Sequence, residues 1–202
     1  KKMTIKIKNL PNFKPYSIFK NFYDLAIENN QKYVEAISIS SFNKDIDEVQ
    51  SRMVNLKYIL NEEWIFFSNY LSPKSKSFET HDQIAATFYW NSINTQIRIK
   101  AKIKKTSSVF SDEHFNSRAI EKNALAISSN QSNRITTYQE VVENYNIALQ
   151  NYENELKRPE YWGGFSFTPY YFEFWEGNDY RINKREVFSL KGNDWENFLL
   201  QP

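Results

Sequence analysis

The sequence predicts a mainly β fold: a barrel of antiparallel strands with a few helices packed outside it. Three observations carry that expectation. Short segments with a two-residue apolar period recur along the chain. They come in two runs, five strands before a helical stretch and three or four after it. Few segments show a helical period, so the helices are too sparse to cover both faces of a parallel sheet. At 202 residues the chain suits a single domain spanning 1–202. A chain of that size buries roughly 70% of its unfolded surface and needs no covalent staple.

The elements follow in order. Residues 16–29 have a helical period, with Ile18, Phe19, Phe22, Leu25 and Ala26 on one face, and Pro15 and Ser17 suit its start. With the residues before it, this helix makes an N-terminal arm, 1–30. Val34 to Ser41 alternates with one slip. Arg52–Ile59 and Trp64–Ser68 read as strands joined near Asn61–Glu62, a hairpin. Ile84–Trp90 is a near-continuous apolar run, as in a buried strand. Gln96–Lys104 alternates cleanly: Ile97, Ile99, Ala101 and Ile103 face one way, Arg98, Lys100, Lys102 and Lys104 the other, a solvated side. A short helix is expected after Ser111 as N-cap. A longer one spans about 138–157, with capping-box spacing at Thr137 and Glu140. Its apolar stripe runs from Tyr138 and Val141 through Tyr145 and Leu149 to Tyr152 and Leu156. Gly163–Phe167, Tyr171–Trp175 and Arg181–Leu190 read as closing strands.

Composition narrows the chemistry. There is no cysteine, which excludes disulfides, thiolate metal sites and thiol nucleophiles. Only His81 and His114 are present, too few for a multi-histidine metal centre. The net charge is +2, from 26 basic and 24 acidic residues. That balance gives no ground for a nucleic-acid partner. No apolar run approaches the ~20 residues of a membrane span, and Lys1 to Leu10 lacks a signal-peptide core. A cytoplasmic protein is the expectation.

No Ser-His-Asp set, carboxylate pair or glycine-rich phosphate loop stands out. The chemistry-bearing groups are cations near polar amides. In Ser51-Arg52-Met53-Val54-Asn55-Leu56-Lys57, the two cations are five positions apart. They face opposite sides of a strand unless a bulge intervenes. Either one grips a phosphate while the other borders a ring, or both are ordinary charged strand ends. Ser72-Pro73-Lys74-Ser75 pairs hydroxyls and an amine with a helix start, which suits an anion or a plain polar loop. His114, Arg118 and Lys122 share a face if one helix runs through them, and three potential cations there repel unless an anion sits nearby. Gln131-Ser132 is a small polar pair in a loop. Gly163-Gly164 marks a bulge or close backbone approach.

At these residues the chain resembles the pyridoxamine 5′-phosphate oxidase family, from about Pro15 to Pro202. The matching strings are SRMVNLK at 51–57, FFSNY at 66–70, FYW at 88–90, FNSR at 115–118 and NQS at 130–132. RPEYWGGF at 158–165 and EFWEG at 173–177 follow, with Gln96, Arg181, Arg185, Trp195 and Pro202 also in place. The resemblance implies an FMN-binding split β-barrel of Greek-key type, working as a homodimer, with 158–202 as dimerisation strands. It implies that Arg52 and Lys74 bind the FMN phosphate and that the backbone of Met53, Val54, Asn55, Leu56 and Lys57, with the Lys57 side chain, lines the flavin. Phe67 and Ser68 would border it, and Gln96, Gln131 and Ser132 would add polar contacts. Trp175 and Arg185 would reach in from the partner. A small anionic, phosphorylated substrate would meet Lys57, His114, Arg118, Lys122, Arg181 and Asn183. No single residue is assigned as catalytic, and no metal is expected.

The chain departs from the family at several of these positions. Pro73 stands where an arginine usually precedes the phosphate lysine. His114 and Lys122 replace a tyrosine and a serine, Ala119–Ile127 replaces a stretch rich in Gly, Gln and Trp, and Asn183 replaces a histidine. Three functions remain in view. One is oxidation of pyridoxamine or pyridoxine 5′-phosphate to pyridoxal 5′-phosphate with O₂ as acceptor and H₂O₂ released. Another is FMN-dependent oxidation of a different ring, such as a phenazine precursor. The last is non-catalytic binding of flavin or pyridoxal phosphate.

Overall fold

All ten strands join one sheet in a computed structural model that describes residues 4–151 and 157–202. The elements are β1 (Lys6–Lys8), α1 (Lys14–Glu28), β2 (Ala36–Asn43), β3 (Glu48–Asn55), β4 (Tyr58–Leu60), β5 (Glu63–Asn69) and α2 (Pro73–Thr80). Then come β6 (Gln83–Trp90), β7 (Thr95–Lys105), α3 (Ser108–Asn116), α4 (Ile120–Ser128) and α5 (Tyr138–Gln150). β8 (Trp162–Glu176), β9 (Lys184–Lys191) and β10 (Asp194–Leu200) complete the chain. The sheet runs β1-β4-β5-β8-β7-β6-β2-β3, with β9 on β8 and β10 on β9. Among the described residues only β1 pairs parallel, with β4. β3 approaches β5, so the far end of the path curls back towards its start, as in a split barrel. No helix among the described residues is long and apolar enough to cross a membrane.

The core is aromatic. Trp64, Phe66, Phe88, Trp90, Phe167 and Phe172 are fully buried along the inner face. α1 closes one mouth by laying Tyr16 and Phe19 on them, with Phe19 and Trp64 centroids 4.5 Å apart. Such ring pairs add stability beyond the area they bury. β7 keeps the predicted alternation, and its charged side is solvated and ion-paired, Arg98 with Glu173 and Lys102 with Asp82.

Tertiary pairing moves several predicted elements. The buried face of α1 is Tyr16, Phe19, Tyr23 and Ala26, and Leu25 faces outward. Its N-cap position is Phe13, with Ser17 inside the helix. The strand expected over Arg52–Ile59 breaks at Leu56–Lys57, because β3 pairs with β2 while β4 pairs with β5 and β1. β6 is buried on one face only: Ala85 and Tyr89 are exposed. Ser107, not Ser111, caps α3 by accepting from the Phe110 N–H. Ser111 is instead buried and accepts from Gly164 N–H. The two strands expected at 163–175 are one, β8, which pairs with β5 over its first half and β9 over its second. Tyr170 is left over where the β7 register shifts, beside Pro169, which has no N–H to give. α5 begins at Tyr138, with Thr137 accepting from Glu140 N–H as expected. Tyr152 and Leu156 of its expected stripe lie outside the described residues.

Candidate functional site

The break between β3 and β4 turns the chain outward and places Lys57 at the floor of a cleft of about 550 Å³. Met53, Val54 and Asn55 of β3 form one wall. Phe67 and Ser68 of β5, with Lys74 of α2, form another. The α3–α4 segment closes the third side with His114, Arg118 and Lys122, and Gln131 borders it. Leu56 buries its side chain in the core, so its expected part in the site falls to its backbone alone. Leu56 lies in the break between β3 and β4, where its N–H donates to Glu35 O at 2.9 Å.

At one end, Arg52, Lys74, Ser132 and Gln50 line a smaller hollow that shares Lys74 with the cleft. Arg52 is anchored by Nη1 donating to Ile39 O (3.0 Å) and Ser41 Oγ (2.9 Å). Lys74 Nζ donates to Ser68 Oγ and Gln131 Oε1, both at 3.0 Å. Burial, with the nearby Arg52 charge, lowers Lys74 to about 8. Pro73 forms the first turn of α2, where its missing N–H is of no consequence.

At the other end, His114, Arg118 and Lys122 converge, but not on one helix face. α3 stops at Asn116 and α4 restarts at Ile120, so Arg118 sits in the connection. Its guanidinium lies 4.4 Å from the Trp162 ring, and its Nη1 is buried with no hydrogen-bond partner. Burial lowers Arg118 to about 10. Lys57 is lowered as well, first by burial and then by Lys122 and Arg118, with Glu35 opposing.

His114 is not a cation here. Its ring stacks on Phe67 at 3.6 Å, and Nδ1 lies 2.8 Å from Tyr58 Oη. Burial and the charges of Arg118, Lys57, Lys6 and Lys122 push it down to about 3. The expectation of three adjacent cations therefore reduces to two, Arg118 and Lys122.

The remaining predicted residues lie elsewhere in this chain. Trp175, Arg181 and Asn183 line a second hollow that shares no described residue with the cleft. Gln96 pairs with Tyr89 and Trp175 on β7, outside the cleft lining. Arg185 is held by Glu173, with Nη2 2.8 Å from Oε1. Asn183 Oδ1 accepts from Asn178 N–H, so its side chain closes its own turn. Arg181 precedes β9 with φ 59°, an uncommon backbone for a side-chain-bearing residue. Sequence reasoning missed Lys6, Tyr58 and Trp162 as cleft residues. The parallel β1–β4 register, Lys6 opposite Tyr58, is what brings the first two there, and no local pattern announces it.

The curled sheet, its cationic cleft and the aromatic wall at Phe67 define a split-barrel flavoprotein fold. PhzG from Burkholderia lata 383, solved with tetrahydrophenazine-1-carboxylic acid, has this fold at TM-score 0.88 and 22% identity, covering 95% of this chain and 94% of that one. A pyridoxamine 5′-phosphate oxidase-related, FMN-binding protein from Nostoc punctiforme PCC 73102 matches at TM-score 0.74 and 11% identity, over 95% and 99% of the two chains. Residues 162–202 match the family model for the pyridoxine 5′-phosphate oxidase C-terminal dimerisation region. The pyridoxine/pyridoxamine 5′-phosphate oxidase of Leptospira biflexa serovar Patoc is 33% identical over 191 residues, 94% of this chain and 90% of that protein. Its counterpart in Christiangramia forsetii is 35% identical over 192 residues, 93% and 88% respectively.

The chain belongs to the pyridoxine/pyridoxamine 5′-phosphate oxidase family of FMN-dependent oxidoreductases. The residues present fit that cofactor. Arg52 and Lys74 meet at a hollow that no carboxylate among the described residues lines, a demand that a phosphate dianion meets. Beside it, Met53, Val54 and Asn55 of β3 line an open wall that suits a flat heterocycle.

Proposed function

We propose that this chain is a homodimeric, FMN-dependent oxidase of pyridoxamine or pyridoxine 5′-phosphate, producing pyridoxal 5′-phosphate with O₂ as acceptor and releasing H₂O₂. The carrying observation is one cleft with a cationic group at each end, Arg52 and Lys74 at one, Lys57, Arg118 and Lys122 at the other. Among the described residues, no carboxylate lines either hollow. Two separated anion sites suit a phosphorylated cofactor and an anionic substrate laid against each other.

FMN, when bound, supplies the capacity to take a hydride from a substrate carbon and pass its electrons to oxygen. The chain's own residues hold and orient. Arg52, Lys74 and Ser132 fix the cofactor phosphate. Lys57 and Arg118 take the substrate anion, and the buried, unpartnered Nη1 of Arg118 is a donor that such an anion would satisfy. Phe67 and Trp162, near-parallel at 15° with centroids 5.4 Å apart, wall off water beside them. Trp175, Arg181 and Arg185 sit on the 162–202 segment matched to the dimerisation region. They would complete the site of the opposite subunit.

Purified protein given FMN and either phosphorylated vitamer should form aldehyde and peroxide in equal amounts. Absence of both would overturn this reading. The neutral, stacked His114 favours a second one, a carboxylated ring substrate of the phenazine-precursor type, because it leaves one fewer positive charge for a phosphate dianion. Anaerobic bleaching of the flavin by such a ring, and not by pyridoxamine phosphate, would establish it instead.

A further inference from the structure

We propose that Lys6, delivered by strand β1, is a direct contact for the substrate's anionic group. This rests on the oxidase reading above. Lys6 is on no motif of the family resemblance, yet three observations place it at the anion end of the cleft. Its backbone N–H donates to Lys57 O at 2.9 Å, so two lysines are tied side by side. The parallel β1–β4 register sets it opposite Tyr58, and its Nζ stands 5.4 Å from the Tyr58 ring centroid. Its side chain lines the cleft together with Lys57, Arg118 and Lys122.

The neutrality of His114 gives the contact its purpose. Tyr58 Oη meets His114 Nδ1 at 2.8 Å, so this pair is closed on itself and presents no charge to a ligand. Lys6 stands over the same Tyr58 and restores a cation where His114 supplies none. β1 is only three residues long. Its parallel pairing with β4 fixes the Lys6 backbone beside Lys57.

The test uses the full chain loaded with FMN and four variants: Lys6→Met, Lys6→Arg, Lys8→Met as a control on the same strand, and Arg118→Met. The probes are pyridoxal 5′-phosphate and unphosphorylated pyridoxal, followed by calorimetry, with steady-state kinetics on pyridoxamine 5′-phosphate alongside. Lys6→Met should weaken the phosphorylated probe by about two- to five-fold, as befits an exposed ion pair. It should leave pyridoxal unaffected and raise KM with kcat unchanged, while Lys6→Arg restores binding. An NMR titration should also show His114 accepting a proton at higher pH in Lys6→Met, since one of the charges that oppose its protonation is gone. If Lys6→Met, or Lys8→Met equally, behaves in a way that does not single out Lys6 while Arg118→Met loses affinity, the Lys6 contact is refuted and the oxidase reading stands. If Arg118→Met also binds normally, the anion end itself is misassigned.

Discussion

Lys74 shows how one side chain's surroundings set its chemistry. Its ordinary value of 10.5 falls to about 8 because the ammonium is buried and faces Arg52. Above pH 8 a growing share of the free protein therefore holds Lys74 neutral, and binding a phosphate must then take up a proton. FMN affinity should be nearly constant from about pH 7 to 8 and fall progressively above that. Flavin fluorescence titrations across this range would check it, with Lys74→Arg expected to stay flat. Lys74→Met should lose about ten- to a hundred-fold in FMN affinity at neutral pH, the worth of one charged hydrogen-bonding group. His114 carries the opposite lesson for stability. Its folded value, about 3, lies below the unfolded 6.5. The unfolded chain thus binds the extra proton first, and stability is lost as pH falls from 6.5 towards 3. Urea unfolding at pH 7 and pH 4.5 should show a smaller acid loss for His114→Phe than for the parent chain.

At the scale of elements, the site depends on interruptions. The β3–β4 break presents Lys57, and the α3–α4 break presents Arg118. A continuous strand or helix would have pointed these groups by period alone. β8 must also pass close beneath α3 and the β5–α2 connection. A Cβ on Gly163 would collide with the Tyr70 hydroxyl, and one on Gly164 with Thr106. Gly163→Ala should therefore destabilise the fold by about 1–3 kcal/mol through overpacking. The chemical-denaturation midpoint would report it. Retention of the parent midpoint would mean that Tyr70 yields freely. The Tyr70 hydroxyl donates to Gly164 O at 3.1 Å, a bond that it would then have to give up.

On the scale of the whole molecule, the predicted site residues fall into two groups that share no lining residue within one chain. Under the proposed dimer each site takes Lys74 from one subunit and Arg185 from the other. Two crippled homodimers, Lys74→Ala and Arg185→Ala, should then rescue each other when unfolded together and refolded as a mixture. Half of the dimers would be mixed, each with one intact site, giving about a quarter of parent activity. No recovery above the two starting levels would place both residues in the same subunit's site.

The strand-rich class, the alternation of β7, the β4–β5 hairpin and the Thr137 cap were all legible in the order of residues alone. These are local: a two-residue period or a capping spacing acts within a few residues, and at these elements no distant pairing opposes it. The separated motifs from Ser51 to Arg185 were equally legible, because each string keeps its own residues and order. Other features depended on pairing between distant segments. The division of Arg52–Ile59 follows from β3 and β4 having different partners, and the continuity of β8 from its exchange of β5 for β9. Leu56 enters the core, His114 loses its charge, and Lys6 reaches the cleft for the same kind of reason. Burial and electrostatic potential at one residue are set by groups tens of positions away, and only the folded sheet brings them together.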